Sequence, residues 1–119
     1  MIRKINISDK EFYIKSVKDF YSSEAVLHSI PEANIIKTFD ELMNSENYAQ
    51  CYIFEQDGER AGYALLAKTY SQEAGGTVLW IDEIYILPKF RSKGIGSHFF
   101  KFLKEISLYI FLTKLSVLS

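Results

Sequence analysis

The sequence predicts an α+β domain, an α/β sandwich in which helices flank a mixed but mostly antiparallel sheet. Two segments before residue 45 repeat apolar residues at helical spacing. From Cys51 the period changes to extended runs, three of them, separated by tight-turn residues. A last helical stripe follows a polar loop that contains glycine. The resulting order is β-α-α-β-β-β-α, with a further strand at the end. Consecutive strands joined by short turns pair antiparallel, whereas a strand reached through a helix lies parallel to its neighbour.

Met1 to Ile7 reads as a short first strand. Ser8 opens a helix with Glu11 three residues on, a capping-box spacing, and Tyr13, Val17, Phe20 and Tyr21 share one face of it. Ser22 to Ile30 is a loop. Pro31 marks the next helix start, because its fixed φ and missing N–H suit a first turn; Ile35, Phe39, Leu42 and Met43 form the buried stripe, and Asn44 to Asn47 end it. Cys51 to Glu55 is a strand. The Asp57-Gly58 pair is a hairpin signal, so Arg60 to Tyr70 is the partner strand, made small by Ala61, Gly62, Ala64 and Ala67. Gly75-Gly76 turns the chain into a long strand, Thr77 to Leu87, which Pro88 ends. The stripe Ile95, Phe99, Leu103, Ile106 and Ile110 marks the third helix, and the residues around Lys114 to Leu118 either begin another strand, the reading favoured here, or continue that helix. There is no repeat, linker or low-complexity tract, so residues 1–119 form one domain.

Composition excludes several functions. The net charge of −1 lacks the basic excess that phosphate neutralisation demands of a nucleic-acid binder. Cys51 is the only cysteine, so no intrachain disulfide forms. The N-terminus has no apolar core of a signal peptide, and no apolar run reaches the roughly 20 residues of a membrane span. The expected compartment is cytoplasmic. His28 and Cys51 lack metal-ligand spacing, and no metal is expected. Nine Phe, eight Tyr and one Trp read as core material, Trp80 included.

The chemistry concentrates in Ile84-Tyr85-Ile86-Leu87-Pro88-Lys89-Phe90-Arg91-Ser92-Lys93-Gly94-Ile95-Gly96-Ser97. Backbone N–H groups at a helix start have no intrahelical partner and carry partial positive charge, and glycine lets an anion approach them. The segment therefore predicts a phosphate or pyrophosphate site. A P-loop is excluded because no Gly-Lys-Ser/Thr occurs, and the dinucleotide fingerprint begins at Gly94-Ile95-Gly96 but meets Phe99 at its third glycine.

The run Arg91-Ser92-Lys93-Gly94-Ile95-Gly96, preceded by Ile86-Leu87-Pro88, resembles the coenzyme A motif of the GNAT superfamily of N-acetyltransferases. Residues from about Trp80 to Leu103 look like that family's central strand, loop and helix, and the upstream element order is similar too. The resemblance implies a GNAT-like fold and acetyl transfer from acetyl-CoA to an amine by direct attack. It implies that Arg91, Ser92, Lys93, Gly94, Ile95, Gly96 and Ser97 bind the coenzyme's pyrophosphate, while Ile84, Tyr85 and Ile86 pair with its pantetheine arm as an added strand would. The Ile86 N–H is the candidate for polarising the thioester. An attacking amine must first lose a proton. Glu83 and Asp82, charged residues in an apolar strand, are the candidates for base or amine anchor. Asp19, Glu24 and Glu32 near the first helices are weaker candidates for an acceptor site, as is His98 for a functional role; plain surface positions explain them better, and Lys101 and Lys104 read as a solvated helix face.

The family's general-acid tyrosine follows its fifth strand, and Tyr109 is too close to the motif to match it. The expectation is therefore a domain lacking the last helix and final strands, with an open sheet edge that invites a homodimer. The alternative function is a catalytically impaired coenzyme A-binding protein.

Overall fold

The computed structural model describes residues 1–23, 28–106, 110–112 and 117–118. Strand β1 (Ile2–Lys4) leads through a 3-10 turn (Ile7–Asp9) into α1 (Lys10–Tyr21) and then α2 (Glu32–Asn44). Strands β2 (Ala49–Gln56), β3 (Glu59–Ser71) and β4 (Gly76–Ile86) follow. A 3-10 turn (Pro88–Phe90), α3 (Ile95–Ile106), β5 (Ile110–Leu112) and β6 (Val117–Leu118) complete the order.

The sheet runs β1-β2-β3-β4, every pair antiparallel. Both β5 and β6 lie parallel to β4: β5 pairs at Leu79–Ile81, and β6 pairs at Ile84 and Tyr85. Period-2 alternation sends successive side chains to opposite faces. Cys51 and Ile53 join Tyr13, Val17, Phe20, Ile35 and Phe39 under α1 and α2, while Tyr52 and Phe54 join Phe99 and Leu103 under α3. The sheet is thus sandwiched between two helical layers, the architecture expected from sequence.

Three details differ from the expectation. The first strand is only three residues long. The capping box lies at Asn6 and Asp9, not Ser8 and Glu11: the Asn6 side chain accepts from Ser8 N–H at 2.9 Å, and Asp9 accepts from Asn6 N–H at 2.8 Å. Asp9 is chosen because Arg3 and Arg60 converge on it, at 2.8 and 2.7 Å. Ile110 belongs to β5 and not to the third helix, although it continues that helix's spacing. Of the expected strand around Lys114 to Leu118, Val117–Leu118 is seen, and residues 113–116 lie outside the described residues.

The Asp57-Gly58 hairpin forms as expected, with both residues at positive φ, 53° and 77°. Two features of the β3–β4 pair shape the end of β4. Leu65 pairs Glu83 while Leu66 pairs Ile81, so Asp82 is an extra residue, a β-bulge. And β4 approaches β3 so closely that a Cβ on Gly62 would stand 2.2 Å from the Tyr85 carbonyl oxygen; only glycine fits.

Candidate active site

The end of β4 is fixed by three contacts. Leu87 N–H donates to Ala61 O at 2.8 Å, tying the strand to β3. Arg91 Nε donates to Ile86 O at 2.8 Å, and its guanidinium lies over the Tyr85 ring, 5.5 Å from the centroid. Phe90 is buried against the α3 layer. Because the Ile86–Leu87 peptide is trans, the Ile86 carbonyl points opposite to the Leu87 N–H, away from β3. In an extended residue the N–H and C=O face the same side, so Ile86 N–H also faces the outer edge of β4.

Beyond Arg91 the backbone turns sharply. Ser92 and Gly94 hold positive φ, 63° and 80°. The first bond of α3 runs from His98 N–H to Gly94 O at 3.0 Å. Among the described residues, the amides from Ser92 to Ser97 donate to no protein acceptor. Ile86, Phe90, Ser92, Gly94, Ile95, Gly96, Ser97 and Phe100 line one cleft of about 350 Å³. Its floor is apolar and its rim carries those amides, a chemistry suited to an anion on an organic tail.

The structure separates the loop's basic residues. Arg91 is folded back onto the strand. Lys89 pairs with Glu59 at 3.1 Å. Lys93 is exposed and lines a neighbouring cavity with Met1, Ile2, Glu55, Gln56 and His98, outside the cleft of Ser92 and Gly96. Ile84 and Tyr85 lie on the outer edge, where they pair with Val117 and Leu118 of β6.

Glu83 lies on the opposite face, under α1 and α2, because the bulge at Asp82 shifts the alternation: Ile81, Ile84 and Ile86 all pack toward α3, leaving Glu83 and Tyr85 toward α1. Glu83 is 6% exposed. Tyr63 OH donates to its Oε1 and Tyr21 OH to its Oε2, each at 2.7 Å. Burial and the adjacent Glu83 push the ionisation of both phenols to higher pH and keep them protonated. Burial likewise pushes the Cys51 thiol up, so it is an inert core group. Asp82 is half-buried and has no hydrogen bond or ion pair among the described residues.

Tyr63 and Tyr21 are hydrogen-bond partners of Glu83 that sequence reasoning misses. Tyr21 is visible in the sequence only as part of a buried stripe, and Tyr63 lies 20 residues from Glu83. The remaining candidates fall on the surface. Asp19 pairs with Lys15 and Glu32 with Lys18. His98, Lys101 and Lys104 are exposed on α3, and Trp80 is half-buried with Nε1 on Thr69 Oγ1 at 2.6 Å. Glu24 and Tyr109 lie outside the described residues. Among the described residues no three metal-ligating side chains gather, and no helix is long and apolar enough to cross a membrane.

A cleft rimmed by unengaged amides at a strand–turn–helix, beside a bulged strand with an acidic residue on its far face, is a specific arrangement. The model of the acetyltransferase (GNAT) family matches residues 12–108. The chain belongs to this family. Solved structures share the GNAT fold at low identity. A possible acetyltransferase from Clostridium difficile 630 superposes with a TM-score of 0.81 at 18% identity, over 95% of this chain and 78% of that one. A predicted acetyltransferase from Clostridium acetobutylicum, solved with acetyl-CoA, gives 0.73 at 18%, over 95% and 79%. AAC(6')-Iy, solved with the bisubstrate analogue CoA-S-monomethyl-acetylneamine, gives 0.72 at 16%, over 95% and 78%. No curated protein matches the chain in sequence.

Proposed function

We propose that this GNAT-family chain transfers the acetyl group of acetyl-CoA to a primary amine by direct attack. The observation that carries the reading is the row of uncommitted amides from Ser92 to Ser97 at the start of α3. The coenzyme's diphosphate accepts from these amides within the cleft that Ile86 and Gly96 line. Its arm follows the outer edge of β4 past Ile86 and Tyr85, and the thioester emerges on the α1 side. There the outward Ile86 N–H polarises the carbonyl as negative charge develops on oxygen. Glu83 accepts the amine's proton, and Asp82, without a protein partner among the described residues, receives the incoming ammonium. The amine nitrogen attacks the carbonyl carbon, and the carbon–sulfur bond breaks to release free thiol.

One observation favours the second reading, a coenzyme A binder without turnover. β6 occupies the edge at Ile84 and Tyr85 that the arm would use, so the arm must displace it. One measurement tests both readings and a second separates them. Coenzyme A at millimolar concentration raises the melting temperature under both. Acetyl-CoA with a panel of amines (an N-blocked lysine, a dipeptide with a free N-terminus, a polyamine) releases thiol only under the first. Absence of any melting shift contradicts both.

A further inference from the structure

We propose that Tyr21 is the proton relay of this site: its phenol takes the proton of the acceptor ammonium as it hands its own to Glu83. The inference rests on the acetyl-transfer reading and removes an obstacle within it. Glu83 is 6% exposed, and both of its oxygens already accept a phenol, so an ammonium has no direct path to it. The two phenols are not equivalent. Tyr63 is fully buried, its ring packed against Tyr13 and Tyr85 at 5.6 and 6.3 Å, so its hydroxyl leads nowhere. Tyr21 is the last residue of α1 and half-buried, with the exposed His28 ring 6.2 Å from its own. It is the phenol that joins the buried carboxylate to the surface. A hydroxyl has one donor and two acceptor positions. The Tyr21 donor is spent on Glu83, so only acceptor positions remain outward, the capacity an ammonium needs.

The step balances. An N–H bond of the ammonium breaks and a new O–H bond forms on Tyr21, while the old Tyr21 O–H bond breaks and its proton binds Glu83 Oε2. The phenol is neutral before and after. Glu83 passes from carboxylate to acid, and the ammonium becomes the amine that attacks the thioester. The nitrogen's second proton leaves with the thiolate as free thiol, and the Glu83 proton returns to water by the same path. Burial and Glu83 both hold the Tyr21 phenol protonated, which suits a relay that never becomes a phenolate. Among the described residues, the other titratable groups facing this site include Tyr13 on α1, His28 beside the Tyr21 ring, Cys51 on β2, Tyr63 on β3 and Asp82 on β4.

The test is Tyr21→Phe in the intact chain, with acetyl-CoA and two probe amines. n-Butylamine is an ammonium near neutral pH and needs the relay; hydroxylamine is largely neutral there and bypasses it. All rates are taken after subtracting thiol release in the absence of protein, because hydroxylamine also cleaves thioesters unaided. Thiol release with butylamine should fall about 100-fold, release with hydroxylamine should change little, and raising the pH should restore the butylamine rate. The melting shift with coenzyme A should stay at the wild-type value. Equal loss with both amines, no loss with butylamine, or a vanished coenzyme A shift in the variant alone would overturn the relay. So would a wild-type chain that binds coenzyme A but releases no thiol with either amine. A wild-type chain without any coenzyme A shift instead contradicts the acetyltransferase reading itself.

Discussion

Asp9 is fully buried beneath the first turn of the molecule, and three donors converge on it: Arg3, Arg60 and the Asn6 N–H. Burial works against its charge, but these bonds outweigh it and hold the carboxyl at about 2. A folded-state value below the unfolded one means that the stabilisation is complete above about pH 4 and is lost as pH falls toward 2. Asp9→Asn should cost about 3 kcal/mol at neutral pH, since it removes the buried charge that Arg60 pairs with and leaves Arg3 with Glu55 alone. Urea melts at pH 7 and near pH 3 should show that gap narrowing with acid; a constant gap would mean that charge is not what Asp9 supplies. Gly94 belongs to the same scale but acts on ligand instead of fold. A Cβ there meets no atom within 4 Å, so the structural cost is the left-handed φ alone, roughly 1 kcal/mol. Gly94→Glu should therefore fold and yet lose its coenzyme A melting shift, because its carboxylate faces the diphosphate. Undiminished binding by that variant would move the site elsewhere.

At the scale of elements, the proposed function rests on β4. Asp82 is the extra residue of its bulge, so deleting it leaves every other β4 side chain on its present face while removing the kink. The deletion should keep the circular dichroism of the fold but abolish coenzyme A stabilisation; full binding without the bulge would show that the arm does not need it. The bulge also marks the limit of what the sequence reveals. The hairpin at Asp57-Gly58, the helix start after Pro31 and the turn at Gly94 are legible because each needs a residue with unusual backbone freedom or restriction. A bulge at Asp82 has no such demand, and no local pattern signals it. The capping box cannot be placed by spacing, because Ser8 and Glu11 stand as far apart as Asn6 and Asp9; the choice is made by Arg3 and Arg60, which arrive from β1 and β3. Glu83 is conspicuous as a charge in an apolar strand, but its phenol partners come from α1 and β3, and only the fold brings them together.

For the molecule as a whole, the sheet divides the work between its two faces. The cleft at the start of α3 opens on the α3 side, Glu83 lies under α1 and α2, and the outer edge of β4, where β6 pairs, runs between them. A substrate with a charged diphosphate at one end and a reactive thioester at the other fits that division, entering on one face and reacting on the other. The most direct measurement is a titration of the isotopically labelled chain with coenzyme A, followed through its backbone amide resonances. The amides of Ser92 through Ser97 should move most and saturate together. A chain whose loop resonances stay still at millimolar coenzyme A, or whose largest shifts fall elsewhere, would contradict the assignment of this turn as the coenzyme's seat.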